Sequence, residues 1–144
     1  MSDKEKMETT PPIGDLPTGH KFAPIKIELS SHDVMVYLES VQDSRFGVEL
    51  VGWVPPASLA AYALGSILNE ISLPSGSVHA SQEISLNRGV RDYEVVTFSA
   101  TLVQNSIRKN WRFLSIEFVG EGESGCEFLN GKAVVLVPVS EGEL

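Results

Sequence analysis

Residues 57–71 restrict the possible folds of this chain most strongly, because nearly every position is apolar or small and the first charge is Glu70. Apolar side chains recur there at helical spacing, and Pro55 and Pro56, directly before the segment, suit the first turn of a helix. A helix that is apolar or small nearly all round is typical of a buried helix rather than a surface one. The sequence therefore predicts one long helix that the rest of the fold has to surround.

The hydrophobic pattern changes from helical to alternating after Gly76, which predicts β-strands. The segments with strand patterns are residues 22–29, 77–86, 94–104, 111–119 and 132–139. Residues 105–110 predict a polar turn, and residues 32–42 predict a short helix. Short connections between the late strands favour antiparallel pairing. We therefore expect an α+β domain in which a curved, mainly antiparallel sheet is wrapped around one long buried helix.

The length of 144 residues fits a single domain. Residues 1–20 mix charges with prolines and predict a flexible N-terminal tail, residues 21–139 form the domain, and residues 140–144 form an acidic C-terminal tail. About five strands and one helix leave an apolar flank uncovered. We therefore expect a dimer that is joined edge to edge or face to face.

The charge balance limits the kinds of partner. Eleven Lys and Arg residues against nineteen Asp and Glu residues give a net charge of −8 and a pI of about 4.8. This disfavours binding to nucleic acid, whose backbone requires many cations, and to an anionic membrane surface. No apolar run reaches the ~18–20 residues that span a bilayer, and the charged N-terminus lacks the apolar core of a signal peptide. We expect a cytoplasmic protein.

Metal and disulfide chemistry find little support in the sequence. The single cysteine, Cys126, excludes an intrachain disulfide and a zinc site built from cysteines, and we expect it to be a buried or half-buried apolar residue. The three histidines and the acidic residues show no ligand spacing. No metal site and no cofactor are predicted.

Three stretches in a fixed order carry a resemblance to a known family. They are residues 52–56 (Gly-Trp-Val-Pro-Pro) leading into the small-residue helix, residues 76–90, and residues 130–133 (Asn-Gly-Lys-Ala). Together they resemble the MaoC-like hot-dog proteins, which include (R)-specific enoyl-CoA hydratases and 3-hydroxyacyl thioester dehydratases. The resemblance covers residues 22–138 and is greatest to the non-catalytic or N-terminal halves and to the partner subunits of heteromeric dehydratases. It implies a single hot-dog domain.

The resemblance also implies a ligand and a chemistry. The ligand is an acyl thioester on CoA or an acyl-carrier protein, with the acyl chain in a tunnel beside the central helix. Active members carry an Asp and a His about five positions apart, which add or remove water by general acid–base catalysis. Asp43 lies where the Asp is expected, but Val48 replaces the His. The resemblance therefore implies a component with an incomplete catalytic pair, which a second hot-dog chain could complete.

Asp43 and His79 are the candidate catalytic residues. Asp43 is either a catalytic carboxylate or a turn-forming Asp that bonds its own backbone. Strict alternation places His79 on the more polar strand face with Ser81, Glu83 and Ser85. There it is either an acid–base group or thioester-carbonyl donor, or a hydrogen-bonded structural residue.

A further set of residues is predicted to bind the thioester. Trp53 is expected to line the tunnel mouth, or else to lie in the core or an interface. The start of the helix offers backbone N–H groups to the thioester carbonyl, as the resemblance implies. A basic turn either receives the CoA phosphates or an acidic carrier-protein helix, or is a solvated hairpin end. The predicted binding residues are Trp53, Val54, Pro55, Pro56, Ala57, Ser58, Arg108, Lys109 and Arg112.

Three functions are compatible with these residues. The first is a hydratase or dehydratase component, as a homodimer or as a heterodimer with another hot-dog chain, for thioesters of fatty acid metabolism. The second is a hot-dog acyl-CoA thioesterase, with Asp43 or Glu70 as its carboxylate. The third is a non-enzymatic module that binds acyl thioesters. The absence of a His at position 48 favours the first in its partner-subunit form.

Overall fold

The computed structural model describes residues 13–41 and 52–139. In these residues, a short 3₁₀ turn at Ile13–Asp15 is followed by seven strands and two helices. The elements are β1 (Ile25–Glu28), α1 (Ser31–Ser40), β2 (Trp53–Val54), α2 (Pro56–Leu68), β3 (Val78–Leu86), β4 (Val90–Arg91), β5 (Val95–Arg108), β6 (Trp111–Glu121) and β7 (Glu127–Pro138). The predicted succession of strand, short helix, long helix and late strands is confirmed.

Five strands form one antiparallel sheet in the order β1-β5-β6-β7-β3, and β2 pairs with β4 in a separate small ladder. The turn predicted over residues 105–110 is much shorter than expected. Strand β5 continues to Arg108, which pairs with Trp111, so Lys109 and Asn110 alone make the reversal. Lys109 adopts a φ of 56°, which allows the chain to reverse within two residues. Polar composition misled the prediction, because these residues still pair across the sheet.

The core lies between the inner face of the sheet and one side of α2. The buried residues of the helix are Ser58, Leu59, Ala60, Ala63, Leu64 and Ile67. They meet Phe98, Phe118 and Phe128 from the sheet, all at most 2% exposed. The opposite side of α2 is open to solvent at Ala57, Ala61, Tyr62 and Gly65. The prediction that the helix is buried nearly all round is therefore wrong for the single chain.

The two edges of the sheet differ. Beyond β1, the preceding segment continues along β5, with hydrogen bonds from Phe22 N–H to Ala100 O and from Gly19 N–H to Leu102 O. Residues 13–20 fall within the segment whose sequence predicts a tail, and their Leu16 is nearly buried. At the other edge, β3 pairs with β7 alone among the strands of the described residues.

Helix α1 begins with a complete capping box. Ser30 Oγ accepts a hydrogen bond from Asp33 N–H at 3.1 Å, and Ser30 N–H donates to Asp33 Oδ2 at 2.9 Å. These bonds satisfy two backbone donors that a helix start otherwise leaves without partners. The helix therefore starts one residue before its predicted boundary, and it ends at Ser40.

Candidate functional site

The start of α2 presents one accessible backbone donor. Pro56 has no N–H, and the Ser58 N–H donates to Pro55 O at 3.0 Å. The Ser58 hydroxyl is fully buried and donates to the same carbonyl at 2.6 Å, so it is not placed as a nucleophile. Ala57 is exposed, and its N–H lies in the first turn, at the positive end of the helix dipole. This N–H is therefore the group of the predicted set best suited to hold a carbonyl oxygen.

Trp53, directly before the helix, is held by a glycine and an arginine. The Arg91 guanidinium lies 4.7 Å from the indole centroid, and a Cβ on Gly89 would come within 2.9 Å of the ring. The indole remains 38% exposed. Trp53 is thus a surface residue of fixed orientation beside the helix start.

A groove of about 440 Å³ runs between α1 and the open side of α2. Its lining consists of Val36, Tyr37, Ser40, Ala61, Tyr62, Gly65, Ser66 and Asn69. The small residues of α2 make room for it, and an added Cβ on Gly65 would meet nothing within 4 Å. Ala57, Ala61 and Gly65 are spaced four apart, so they share one helix face that leads from the exposed N–H into the groove.

His79 does not lie on the strand face that alternation predicts. A bulge between His79 and Ser81 adds one residue to β3, so that His79 pairs with Val135 and Ser81 pairs with Val134. Paired residues lie on the same face, and Val135 belongs to the core. His79 is therefore on the inner face with Gln82, while Ser81 is on the outer face. The imidazole is exposed in the single chain.

The predicted basic patch is divided between the two faces of the hairpin. Arg108 pairs with Trp111 and its guanidinium lies 5.7 Å from the Phe113 ring, on the outer face. Arg112 alternates to the inner face, where its Nη1 donates to Asn105 Oδ1 at 2.7 Å. Arg108 and Lys109 are exposed and available, whereas Arg112 helps to fix the N-terminal segment.

The structure does not bring the two groups of predicted binding residues together. Trp53 and the start of α2 lie near β4, which leads into the first residues of β5. The basic turn lies at the other end of the same strand, roughly 40 Å along a strand of this length. Within one chain, the helix start and the basic turn therefore cannot contact the same small ligand.

Other predicted groups are placed as follows. Asp43 and Val48 lie outside the described residues. Glu70 is exposed just after α2. Cys126 is exposed in the turn between β6 and β7, so the prediction of a buried thiol is wrong; a turn of Gly and Glu residues has no apolar neighbours to cover it. Arg88 forms an ion pair with Glu94 at 3.0 Å.

Neither a metal site nor a membrane-spanning helix occurs in the described residues. No group of His, Cys, Asp and Glu side chains in residues 13–41 and 52–139 could hold a metal ion. In the same part of the chain, no helix is long and apolar enough to cross a membrane.

Neither the groove beside α2 nor the bulge in β3 could be predicted from a local sequence pattern. The groove depends on which side of α2 the sheet covers, although the run of Ala61, Gly65 and Ser66 was a hint of close approach. The bulge depends on the register with β7, which no local pattern specifies.

Comparison with known proteins identifies structural neighbours. No family profile matches the chain, and no characterised sequence matches it either. Among solved structures, the (R)-hydratase from A. caviae involved in PHA biosynthesis is similar, with a TM-score of 0.65, 20% identity, and coverage of 86% of this chain and 98% of that one. The HadBC (3R-hydroxyacyl-ACP dehydratase) complex from Mycobacterium tuberculosis is similar with a TM-score of 0.66 and 11% identity. The match covers 86% of this chain and 99% of that one. A hot-dog-like protein from Thermanaerovibrio acidaminovorans is similar with a TM-score of 0.61 and 18% identity. The match covers 88% of this chain and 86% of that one.

Proposed function

From the MaoC-like hot-dog fold that this chain has, we propose that it is a hydratase or dehydratase component that binds acyl thioesters at the start of α2. The acyl chain lies in the groove between α1 and α2, and the thioester carbonyl accepts a hydrogen bond from the Ala57 N–H. The site is completed by a second hot-dog chain. In this proposal the acyl thioester is the substrate of the protein, and no cofactor besides it takes part.

The continuity of the helix face is the observation that carries this proposal. The N–H of the exposed residue Ala57 stands at one end of a row of small residues, and the groove occupies the other end. From Ala57 to Asn69 the helix rises by about 18 Å, which gives an extended apolar ligand a path along one surface. A polar head group and an apolar chain on one ligand match these two features.

The chemistry follows from the position of the N–H. Addition of water to a 2-enoyl thioester moves negative charge onto the carbonyl oxygen. A backbone donor at a helix start stabilises this charge more than the neutral carbonyl, and so lowers the barrier. The attacking water needs a group that orients it, for which Asp43 is our proposed carboxylate, and the proton transfers need an acid–base group as well.

Strand β3 is the proposed contact with the second chain. It is nine residues long, and its apolar ends Val78 and Leu86 are 48% and 44% exposed. A long edge with exposed apolar side chains favours strand pairing. Antiparallel pairing would also bring the basic turn of one chain to the end of the sheet where the other chain's α2 begins. Arg108 and Lys109 could then reach the phosphates of a CoA bound by the other chain.

The resulting proposal is a dimer of hot-dog chains in the cytoplasm, with acyl-CoA as the ligand and an acyl-carrier protein as the alternative carrier. The neighbouring HadBC structure is a complex, by its own description. Whether the second chain is identical or different is decided by the molecular mass of the purified protein and by what co-purifies from native cells.

Binding and turnover test the proposal. Butyryl-CoA and octanoyl-CoA binding would be measured by calorimetry, with crotonyl-CoA hydration followed as loss of enoyl-thioester absorbance. Gly65→Leu fills the groove and should weaken octanoyl-CoA binding more than butyryl-CoA binding. Ala23→Leu, at an exposed position beside β1, serves as the control and should change the affinity for neither thioester. An equal loss of affinity for both thioesters in Gly65→Leu, or no loss for either, would contradict the groove assignment.

The same samples separate the other two functions. Thiol release from acyl-CoA without hydration would indicate a thioesterase. Binding without either reaction, in a protein purified with no second hot-dog chain, would indicate a binding module. If the protein is a hydratase or dehydratase component, Asp43→Asn should abolish turnover. Acyl-CoA binding should stay intact in this variant under each of the three functions.

A further inference from the structure

The bulge in β3 gives His79 an unusual position. Without the extra residue, strand alternation would turn the imidazole to the outer face, away from α2 and the groove. With it, His79 shares the inner face with Val135 and the core, yet the imidazole stays exposed because it lies on the free edge of the sheet. A titratable side chain at an open inner edge faces whatever covers that edge.

A second copy of the chain would cover it in a defined way. The bulge makes His79 the next pairing position after Ser81. When two β3 strands pair antiparallel around Gln82, the inner faces stay on one side, and His79 lies opposite Ile84 of the partner subunit. Ile84 is two residues from the end of β3. That end leads to Gly89, whose Cα packs against Trp53 at the start of α2.

We propose that His79 serves the thioester site of the partner subunit, where it supplies the imidazole that position 48 lacks. This inference rests on the proposed function and adds the identity of the second chain, a copy of this one, and the residue that it contributes. Each dimer then holds two sites, each built from one chain's α2 and the other chain's His79.

The proton balance of the step is complete with this one group. The neutral imidazole takes a proton from water while the water oxygen bonds to C3 of the 2-enoyl thioester. The double-bond electrons move to C2 and the carbonyl oxygen, which the Ala57 N–H stabilises. The imidazolium then gives its proton to C2, which restores the imidazole and completes the addition of one water.

Substitution of His79 gives the first test. His79→Ala and His79→Gln should lower crotonyl-CoA hydration by roughly 100-fold or more, the usual share of an acid–base group. Butyryl-CoA, which cannot be hydrated, should bind with a Kd within a few-fold of the wild-type value. Ser81→Ala, on the outer face of the same strand, is the matched control and should leave the rate unchanged.

Subunit mixing tests whether His79 acts across the dimer. Ala57→Pro removes the backbone N–H in a helical turn that tolerates proline, so each homodimer of this variant or of His79→Ala should be nearly inactive. Mixed dimers place both lesions in one site and leave the other intact. Mixing equal amounts should restore about one quarter of the wild-type rate, since half of the dimers are mixed and half of their sites are whole. No restoration would show that both groups belong to the same chain's site.

A chemical probe gives a readout that does not depend on hydration. His79→Cys in a Cys126→Ser background would be treated with acryloyl-CoA, whose C3 bonds to the sulfur while the thiol proton ends on C2. Mass spectrometry should find the thiol introduced at position 79 modified, and excess butyryl-CoA should protect it. Ser81→Cys in the same background should react much more slowly.

The outcomes are distinct. If wild-type protein does not bind butyryl-CoA, the proposed function fails and this inference fails with it. If butyryl-CoA binds but the His79→Cys thiol is not modified, or His79→Ala keeps the wild-type rate, the inference alone is overturned. If wild-type protein binds without hydrating crotonyl-CoA, protected modification of the His79→Cys variant still supports the placement, and equal modification of the Ser81→Cys variant overturns it.

Discussion

The two edges of the sheet are treated differently by the same chain. At the β1 edge, the strand itself is four residues long, and the segment before it continues the pairing along β5 to Leu102. Asn105 then donates to Leu16 O at 2.9 Å. Pro24 and the exposed Lys26 make this outer side a poor template for further strands. At the β3 edge, seven of the nine residues have exposed side chains, and no such protection is present within the described residues.

This difference indicates what each edge is for. A sheet edge with unpaired backbone groups is a hazard unless the protein covers it. Here the β1 edge, which we call the closed edge, is short and carries Pro24 and the exposed Lys26, which disfavour a further strand. The β3 edge, which we call the open edge, lacks such protection within the described residues and is the edge that we propose for a partner. The open edge also carries the bulge and His79, so the place where a second chain would bind is the place where a titratable side chain is available.

The largest effect is expected from charges on the open edge. Val78→Lys with Leu86→Lys should convert the proposed dimer to a monomer, because each removes an apolar side chain worth about 1.5–3 kcal/mol of burial and adds a charge to the contact. Sedimentation velocity should show the dissociation constant rising by at least 100-fold. Circular dichroism should stay unchanged, since neither side chain is part of the buried core.

The closed edge provides the matched control for that prediction. Ala23→Lys adds the same charge at an exposed position beside β1 and should leave the dimer intact. Dissociation by Ala23→Lys with an unaffected Val78→Lys/Leu86→Lys protein would mean that the roles of the two edges are reversed.

A smaller effect is expected where β3 joins the sheet. A Cβ on Gly131 would lie 2.6 Å from the Glu83 carbonyl oxygen and 2.5 Å from the Phe118 ring, so Gly131→Ala must displace β3 or the ring. We expect the free energy of unfolding to fall by about 1–3 kcal/mol, as for other overpacked sites, together with weaker dimerisation. Urea denaturation measures the first and sedimentation the second.

Gly65→Ala is the comparison for Gly131→Ala. The helical Gly65 has open space around it, so its replacement should raise the free energy of unfolding by about 0.5–1 kcal/mol. If both alanines destabilise equally, the close approach at Gly131 is not the cause.

The next largest effect is expected from a substitution that loosens the N-terminal segment at the closed edge. Asn105→Leu removes the bonds to Leu16 O and from Arg112, and leaves polar groups at a partly buried site with fewer partners. We expect a loss of about 1–2 kcal/mol in the free energy of unfolding and faster proteolysis before β1, with the dimer unchanged. Unaltered proteolysis of the N-terminal segment would show that this amide does not hold it.

The long elements could be predicted from the sequence because their patterns are local. The helix at α2 and the four late strands follow from periodicity alone, with boundaries displaced by a few residues. Strand β7 begins at Glu127, five residues before its predicted start, since Glu127 and Asn130 interrupt the apolar run that marked it. The pairing of β2 with β4 had no signal, because two-residue strands show no period.

The candidate site was less predictable than the fold. The start of α2 was placed correctly because proline and small residues mark it directly. The prediction of the strand face on which His79 lies was wrong, because one extra residue in a strand reverses the alternation. Only the register with β7 shows that residue. Arg112 was grouped with Arg108 by sequence proximity, although alternation along the strand separates them.

The smallest expected effect is the pH dependence of the helix that follows the closed edge. The hydrogen bond from Ser30 N–H, with a second from its hydroxyl, holds the pKa of the Asp33 carboxyl below its ordinary value of 3.8. Because the pKa is lower in the folded state, the stabilisation is present above the ordinary value and is lost as the pH falls through the folded one.

Asp33→Asn should therefore lower stability at neutral pH slightly and flatten its decline below about pH 4 relative to wild type. Denaturant unfolding of both proteins across this range measures the difference, and His32→Gln is the control because it retains the capping box. If Asp33→Asn and the wild type lose stability in parallel, the carboxylate does not act as the cap. A dimer that dissociates over the same pH range in both proteins would instead place acid sensitivity at the open edge.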